Sequence, residues 1–553
     1  MFMDEATKNA LDFQYILNQI EVLTPYGSLL KKRMKPYLRG SEEDLKDQLH
    51  MIESYLPFIK NNNIRREFNN LLSHLKDLRQ STKRAMEGFI LQDVELFEIK
   101  NFLFLLRNLK TQMEKENIPS FKETRIELIP KLEKMLDPED TKIATFYIYD
   151  AYSEEIREIR KRKKERDNFI RTQKKRIKDQ VKEDLNLDLR PDNSVVVSRE
   201  NKSLLKTIKI YPYLTYLSET YLNIKFTIIP TDEISAAERE WDLLRDKEEQ
   251  EEMRIREFLS KEVGKRRREL YRNMLSIGKL DLLLAKTKLA IDLDGVKPEI
   301  GNEHSIWIKD GRHPKIENLL KKREMNFTPI TLHLKEGVAC ITGANMGGKT
   351  ISLKLVGLLS VMAHYGMYVP ASEMKLGLSH YIKSSIGDMQ STDSGLSTFG
   401  GEVRVVSDAI ERADEQGIIL IDELARGTNP EEGYAISKAI AKYLIDKPAI
   451  TLLTTHYDNV ADLKGIQHLQ VVGLSELKIE ELEDEIIGGD GMEIINKHMD
   501  YRLRKVDKTT AIPRDAINIA KIMGLKKEIL TLAEEILTNS QCTDHNSQLK
   551  TNE

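Results

Sequence analysis

Two cysteines, Cys340 and Cys542, are all that 553 residues contain. Two thiols cannot build a disulfide framework or a four-thiolate zinc site, and a reducing compartment suits them. Long apolar runs are missing as well: no stretch reaches the roughly 18 residues that a membrane span requires. The N-terminus, MFMDEATKNALDFQ, has no basic flank ahead of an apolar core and does not read as a signal peptide. The cytoplasm is the expected location, with no membrane partner. Charge of one sign is also lacking, since 86 Lys and Arg stand against 89 Asp and Glu and leave a net charge of −3. No global field marks a nucleic-acid or membrane protein, so any such surface must be local.

Charged residues still make up 32% of the chain, above the roughly 25% of ordinary globular proteins. Length suggests three or four domains. Residues 1–151 read as helical, with apolar residues at three- and four-residue spacing (Leu45, Leu49, Ile52, Leu56; Leu71, Leu72, Leu75, Leu78) and little glycine. Between Arg157 and Lys182 there are thirteen Lys and Arg. A helix of that composition must be solvated over most of its surface. It reads as a solvated arm, with a rail for phosphates as the functional alternative. Ser194–Ser198, Thr207–Ile210 and Ile224–Ile229 read as short strands. A second charged helix is expected from Ser235 to about Ala290, so that residues 152–234 form an arm with a small β-rich tip at about 190–231. From about 301 short apolar runs alternate with helical stretches: Val338–Thr342, helix Lys349–Tyr365, helix Thr398–Ala413, Ile418–Ile421, helix Pro430–Leu444 and Ile450–Thr454. That alternation argues for an α/β sheet domain.

The chemistry gathers in this last region. Gly343-Ala344-Asn345-Met346-Gly347-Gly348-Lys349-Thr350 follows an apolar strand and opens a helix, the context a phosphate-binding P-loop needs. Its glycines let successive backbone N–H groups converge on phosphate oxygens, and the helix adds its positive end. The nucleotide-binding run is taken through Ile351. Lys349 is expected to reach the β- and γ-phosphates of ATP, and Thr350 to ligate Mg²⁺. Ile418-Ile419-Leu420-Ile421-Asp422-Glu423 is a buried strand ending in two carboxylates. Asp422 is expected to hold Mg²⁺ and Glu423 to polarise the attacking water. His456, just beyond the strand Thr451–Thr454, is expected to sense the γ-phosphate.

These pieces together resemble the MutS family of ABC-type ATPases. The matching residues are Gly311-Arg312-His313-Pro314, ITGANMGGKT at 341–350, Ser397-Thr398-Phe399-x-x-Glu402, IDELARGTNPEEG at 421–433 and Thr454-Thr455-His456-Tyr457. The resemblance implies an α/β ABC-type P-loop ATPase domain over 301–510, preceded by an α-helical lever domain at 1–151. It further implies a clamp with a β-rich tip at 152–234, returning lever helices at 235–300, a helical dimerisation element at 511–537 and a disordered tail at 538–553. Ser397 would lie in the signature segment that completes a partner subunit's site, implying a homodimer or a pair with a related subunit. Phe327 matches the segment that packs near adenine, Gly427-Thr428-Asn429 the loop linking the two sites, and Gln390 the residue that couples the γ-phosphate to the rest of the molecule.

The resemblance begins at the lever, so the mismatch-reading and connector domains are expected to be absent. With IGDMQS and GTNPEEG the chain sits closer to the recombination-suppressing bacterial paralogue branch, although without room for that branch's C-terminal nuclease domain. Two functions follow as expectations. One is an ATP-gated clamp on branched or recombining DNA. The other is a protein-remodelling ATPase, similar to the subunit proposed to reactivate adenosylcobalamin-dependent lysine aminomutases, whose partners would be a cobalamin-dependent enzyme and a second reactivase subunit.

Overall fold

The computed structural model describes residues 1–343, 348–387, 398–425, 428–474, 499–506 and 515–536. Contacts divide the chain into two units. One comprises Met1–Ser73, Asn117–Thr124 and Ile277–Glu553, the other His74–Glu116 and Arg125–Ser276. This division cuts across the helical block drawn at 1–151 from sequence.

In the second unit the basic helix Glu154–Leu185 lies against the acidic helix Asp232–Lys265. Ion pairs run in antiparallel order between them. Arg160 forks onto Glu248 and Glu252 at 2.9 and 2.8 Å, Lys163 also meets Glu248, Arg166 meets Glu240 at 2.9 Å, and Lys174 meets Glu238 at 2.7 Å. Part of this arm, read as solvated with a phosphate rail as the alternative, is therefore a zipper onto a carboxylate-rich partner helix, while Lys161, Lys164, Lys175 and Arg176 stay exposed. Two oppositely charged helices can pair along their length with few apolar residues because each supplies the counter-charges of the other.

At the far end of this pair sits a three-stranded sheet of β1 (Ser194–Ser198), β2 (Leu214–Glu219) and β3 (Asn223–Ile228), in the order β1-β3-β2 and antiparallel throughout. Val195, Val197, Leu214, Phe226 and Ile228 close a small core over Ile177, Val181 and Ile234 of the two helices. The strand expected at Thr207–Ile210 is not one. Lys202–Lys209 is a helix, because Asn201 caps it through Leu204 N at 3.2 Å and Leu204, Leu205 and Ile208 make one helical apolar face. Leu214–Glu219 supplies the third strand instead. The single helix expected from Ser235 to Ala290 is two, Asp232–Lys265 and Arg267–Asp292, parted at Arg266.

In the first unit, β4 (Glu299–Gly301), β5 (Ser305–Gly311), β6 (Ile330–Lys335) and β8 (Glu373–Gly377) form a four-stranded sheet ordered β4-β8-β5-β6. A six-stranded sheet is built from β7 (Gly337–Thr342), β9 (Ile382–Ser385), β10 (Ile418–Ile421), β11 (Ile450–Thr454), β12 (Gln467–Gly473) and β13 (Asp500–Lys505). Its order is β13-β12-β7-β11-β10-β9, parallel except for the edge strand β13. Strands β7, β10 and β11 are buried along their whole length, which is why they read as unbroken apolar runs rather than alternating ones. Helix Gly348–His364 is buried on nearly every side, as a helix apolar all round must be.

The first twenty residues belong to this α/β core and not to a separate helical lever. Leu11, Phe13, Ile16 and Ile20 join Leu355, Leu358 and Leu420 in one cluster. The segment also lines edge strand β9: Ile382 N donates to Phe2 O at 2.7 Å, Ser384 N to Thr7 Oγ1 at 3.1 Å, and Lys383 pairs with Asp4 at 2.6 Å. Covering an edge strand in this way removes an open pairing surface. Among the described residues no helix is long and apolar enough to cross a membrane.

Candidate nucleotide site

In an open parallel sheet, ligands gather beyond the carboxyl ends of the strands. Here β7 ends at Thr342, β11 at Thr454 and β10 at Ile421, and the three are neighbours with β11 in the middle. The loops leaving them therefore converge. Gly343 follows β7 with φ +123°, a conformation that L side chains rarely adopt, and a Cβ there would lie 3.2 Å from Val471. At Gly348 a Cβ would meet Tyr501 at 3.0 Å and Val471 at 3.4 Å. The two terminal glycines of the P-loop are thus imposed by backbone conformation at one end and by close packing against β12 and β13 at the other.

Lys349, on the first turn of its helix, is only 2% exposed. Its ammonium donates to Gly343 O at 2.8 Å, lies 3.4 Å from His456 Nδ1 and lies 3.4 Å from Glu423 Oε1. His456 Nε2 in turn is 2.9 Å from the same carboxylate oxygen. The imidazole thus bridges the two charges, its Nδ1 facing the Lys349 ammonium and its Nε2 the Glu423 carboxylate. Burial pushes the Glu423 carboxyl up, but the His456 hydrogen bond and the Lys349 charge outweigh it and hold the group at about 2.

Beside this triad is a second cluster. Thr350 Oγ1 donates to Asp422 Oδ2 at 2.8 Å. Thr454 Oγ1 donates to Asp422 Oδ1 at 2.8 Å and accepts from Glu423 N at 2.9 Å. One hydroxyl thus orients both acidic residues. Glu423 and Ala425 have φ of 49° and 63°, an uncommon backbone for residues with a side chain and one that clusters at functional sites. Hydroxyl and carboxylate oxygens at Thr350 and Asp422 are the hard donors that Mg²⁺ takes, and an ammonium at a helix start suits phosphate.

Five of the residues expected at the site, Lys349, Thr350, Asp422, Glu423 and His456, are within one hydrogen-bonded neighbourhood. Ile351 is half-buried on the helix beyond Thr350, and Phe327 is half-buried; both pack on the core that holds Ile341 and Leu353. Asn429, expected in the loop between sites, caps helix Pro430–Leu444 through Glu431 N at 2.9 Å. Ala344, Asn345, Met346, Gly347, Gln390, Ser397 and Gly427 lie outside the described residues, as does the tail at 538–553. Sequence reasoning missed Thr454 as an orienting group and Tyr501 as the wall behind Gly348. Thr454 stood inside the Thr-Thr-His-Tyr run and differs from its neighbours only in facing the carboxylates. Nothing at position 501 announces a neighbour so far back in the chain.

The family model for MutS domain V matches residues 339–541. The chain is 27% identical to the endonuclease MutS2 of Caldanaerobacter subterraneus subsp. tengcongensis over 97% of its own length and 64% of that protein's. It is 29% identical to the endonuclease MutS2 of Ruminiclostridium cellulolyticum, over 97% and 65% respectively. Similarity to the DNA mismatch repair protein MutS of Caldicellulosiruptor bescii is 32%, over 49% of this chain and 30% of that one. The chain thus spans just under two thirds of the length of these MutS2 relatives. With the P-loop, the carboxylate pair and the histidine brought to one sheet edge, the chain carries over residues 339–541 the MutS family's domain V, an ABC-type P-loop ATPase domain, and is similar to MutS2 proteins over almost its whole length.

Proposed function

We propose that this protein hydrolyses MgATP in a cytoplasmic dimer and couples the cycle to clamping branched or recombining DNA. The observation that carries the reading is the convergence of Lys349, Glu423 and His456 beside Thr350 and Asp422 at the carboxyl edge of one sheet. When bound, MgATP supplies the phosphoanhydride bond to be cleaved and a divalent charge that stabilises the developing negative charge. Lys349 holds the phosphates, and Thr350 and Asp422 hold the cation. Glu423, relieved of the Lys349 ammonium once phosphates compete for it, becomes more basic and orients the attacking water, with Thr454 fixing its backbone and His456 its carboxylate.

By family resemblance Phe327 lies against adenine, Gln390 couples the γ-phosphate to the rest of the chain, and Ser397 completes the site of a second subunit. The helices between residue 20 and residue 151 and those at 235–300 then act as lever, 152–234 as clamp and 511–537 as dimerisation element. The DNA reading is supported by relatives named as an endonuclease and as a DNA mismatch repair protein. It is tested with the Glu423→Gln protein. ATP is expected to drive it into a stable dimer that retains a four-way junction. ATP turnover in the wild-type chain that ignores every DNA, yet responds to a cobalamin-dependent enzyme, would replace the DNA reading with the remodelling one. Ser397→Ala is expected to lose turnover as a homodimer and regain part of it when mixed with a Lys349→Ala chain. Full activity of Ser397→Ala alone would rule out composite sites.

A further inference from the structure

Acidic neighbours neutralise several cations of the basic arm. Elsewhere in the second unit a cleft gathers positive charge with no acidic residue in its lining. Helix Arg79–Met86 and the first turns of helix Arg267–Asp292 line a cleft of about 640 Å³. Five cations line it, Arg79, Lys83, Arg267, Arg268 and Arg272, and no carboxylate does. The spacing makes each helix present a row: Arg79 and Lys83 are one turn apart on one, as are Arg267 and Arg268 with Tyr271 and Arg272 on the other. Arg79, Lys83 and Arg272 have ion-pair partners in Asp77, Glu87 and Glu127, which lie outside the cleft lining. Arg267 and Arg268 have no acidic partner among the described residues. Among these cations the Tyr271 side chain is 57% exposed, so its ring is not committed to packing.

We propose that this cleft holds a single nucleic-acid strand, with phosphates on the two basic rows and a base stacked on Tyr271. The inference rests on the DNA reading above and adds to it a surface and a strand class. An acidic peptide would satisfy the guanidinium groups equally well. The exposed ring among them favours nucleic acid, because every base has a face that stacks on an aromatic side chain whatever the sequence. A duplex offers its phosphates outward and keeps its bases stacked inside, leaving Tyr271 without a partner. Strands with unpaired bases occur at the branch points that the proposed function invokes.

Fluorescence anisotropy of the full chain with labelled oligothymidylate measures this, with junction DNA and polyglutamate as parallel probes. Arg267→Glu combined with Arg268→Glu is expected to weaken oligothymidylate binding roughly tenfold or more. It should also make the dependence of log K on log salt shallower by about 1.4, at ~0.7 for each phosphate no longer neutralised. Tyr271→Ala should weaken binding roughly five- to a hundredfold while leaving that slope unchanged. Lys131→Glu combined with Lys134→Glu, on an exposed face outside the cleft, carries the same change of charge as a control, and thermal melting reports on folding. Cleft variants that bind as tightly as this control overturn the assignment and leave the DNA reading standing. Polyglutamate binding that the cleft variants lose, with oligothymidylate unbound by the wild type, overturns it in favour of an acidic protein. A wild-type chain that binds no DNA probe overturns both the cleft and the DNA reading.

Discussion

The Lys349 ammonium and the Glu423 carboxylate share a buried contact of 3.4 Å, and His456 holds the same carboxylate oxygen at 2.9 Å. The residue expected to bind phosphate and the residue expected to activate water are therefore each other's counter-charge. In the proposed reading a nucleotide competes with Glu423 for Lys349, and this competition would link phosphate binding to the basicity of the carboxylate.

Lys349→Ala removes the only ammonium in this contact. ATP affinity is expected to fall roughly 10- to 150-fold, the equivalent of about 1.5–3 kcal/mol for a charge-assisted hydrogen bond. Isothermal titration with ATP checks this. Unchanged affinity would show that phosphate recognition lies elsewhere in the loop.

Glu423→Gln keeps the shape and removes the charge. Turnover is expected to drop about 10²- to 10⁴-fold, the range for a positioned acid–base group, with ATP binding retained. The same substitution has a pH signature. A carboxyl held at about 2, below its ordinary 4.5, stabilises the folded chain fully above 4.5, and that contribution is lost as pH falls from 4.5 towards 2. The stability gap between wild type and Glu423→Gln, followed by urea unfolding, should accordingly shrink as pH drops through this window. A gap independent of pH would mean that the ion pair does not form.

Thr454→Val deletes the hydroxyl that joins Asp422 Oδ1 to Glu423 N while preserving the β-branched shape of the strand. A missing bond to a charged acceptor and a partly buried N–H left unpaired together predict a loss of about 1–3 kcal/mol in unfolding free energy. Turnover should fall more than ATP affinity does, because both acidic residues lose their orientation. Thermal melting and steady-state kinetics separate the two effects.

Gly348→Ala places a methyl 3.0 Å from the Tyr501 ring. Nucleotide affinity is expected to drop, and Tyr501→Leu in the same chain to restore part of it. In a double-mutant cycle the coupling between the two positions should reach about 0.5–3 kcal/mol, as for residues in direct contact. Additive effects would mean that the glycine is needed for its backbone alone.

Much of this site could be read from the chain because its parts are local. A glycine-bounded loop between an apolar run and a helix, and two carboxylates ending another apolar run, are patterns of neighbouring residues. The helix Pro430–Leu444 and the strands Ile418–Ile421 and Ile450–Thr454 have the bounds that their composition indicated. At the β tip local reading failed. Thr207-Ile208-Lys209-Ile210 carries β-branched residues, yet the Asn201 cap and the burial of Ile208 make most of it helix. The charged arm was legible as a solvated helix but not in its pairing, because the acids that neutralise several of its thirteen basic residues arrive some 60 to 90 residues later.

What the sequence by itself determined was the chemistry available, a lysine and a threonine at a helix start and two carboxylates and a histidine beyond strand ends, because each follows from residue type and immediate neighbours. Tertiary structure alone decided which of these groups meet. The order β7-β11-β10 sets Lys349, His456 and Glu423 side by side, β12 and β13 close over Gly343 and Gly348, and residues 1–20 fold into the α/β core rather than into a lever. Such contacts join segments up to hundreds of residues apart, and their partners are selected by sheet register and burial, which no local pattern encodes.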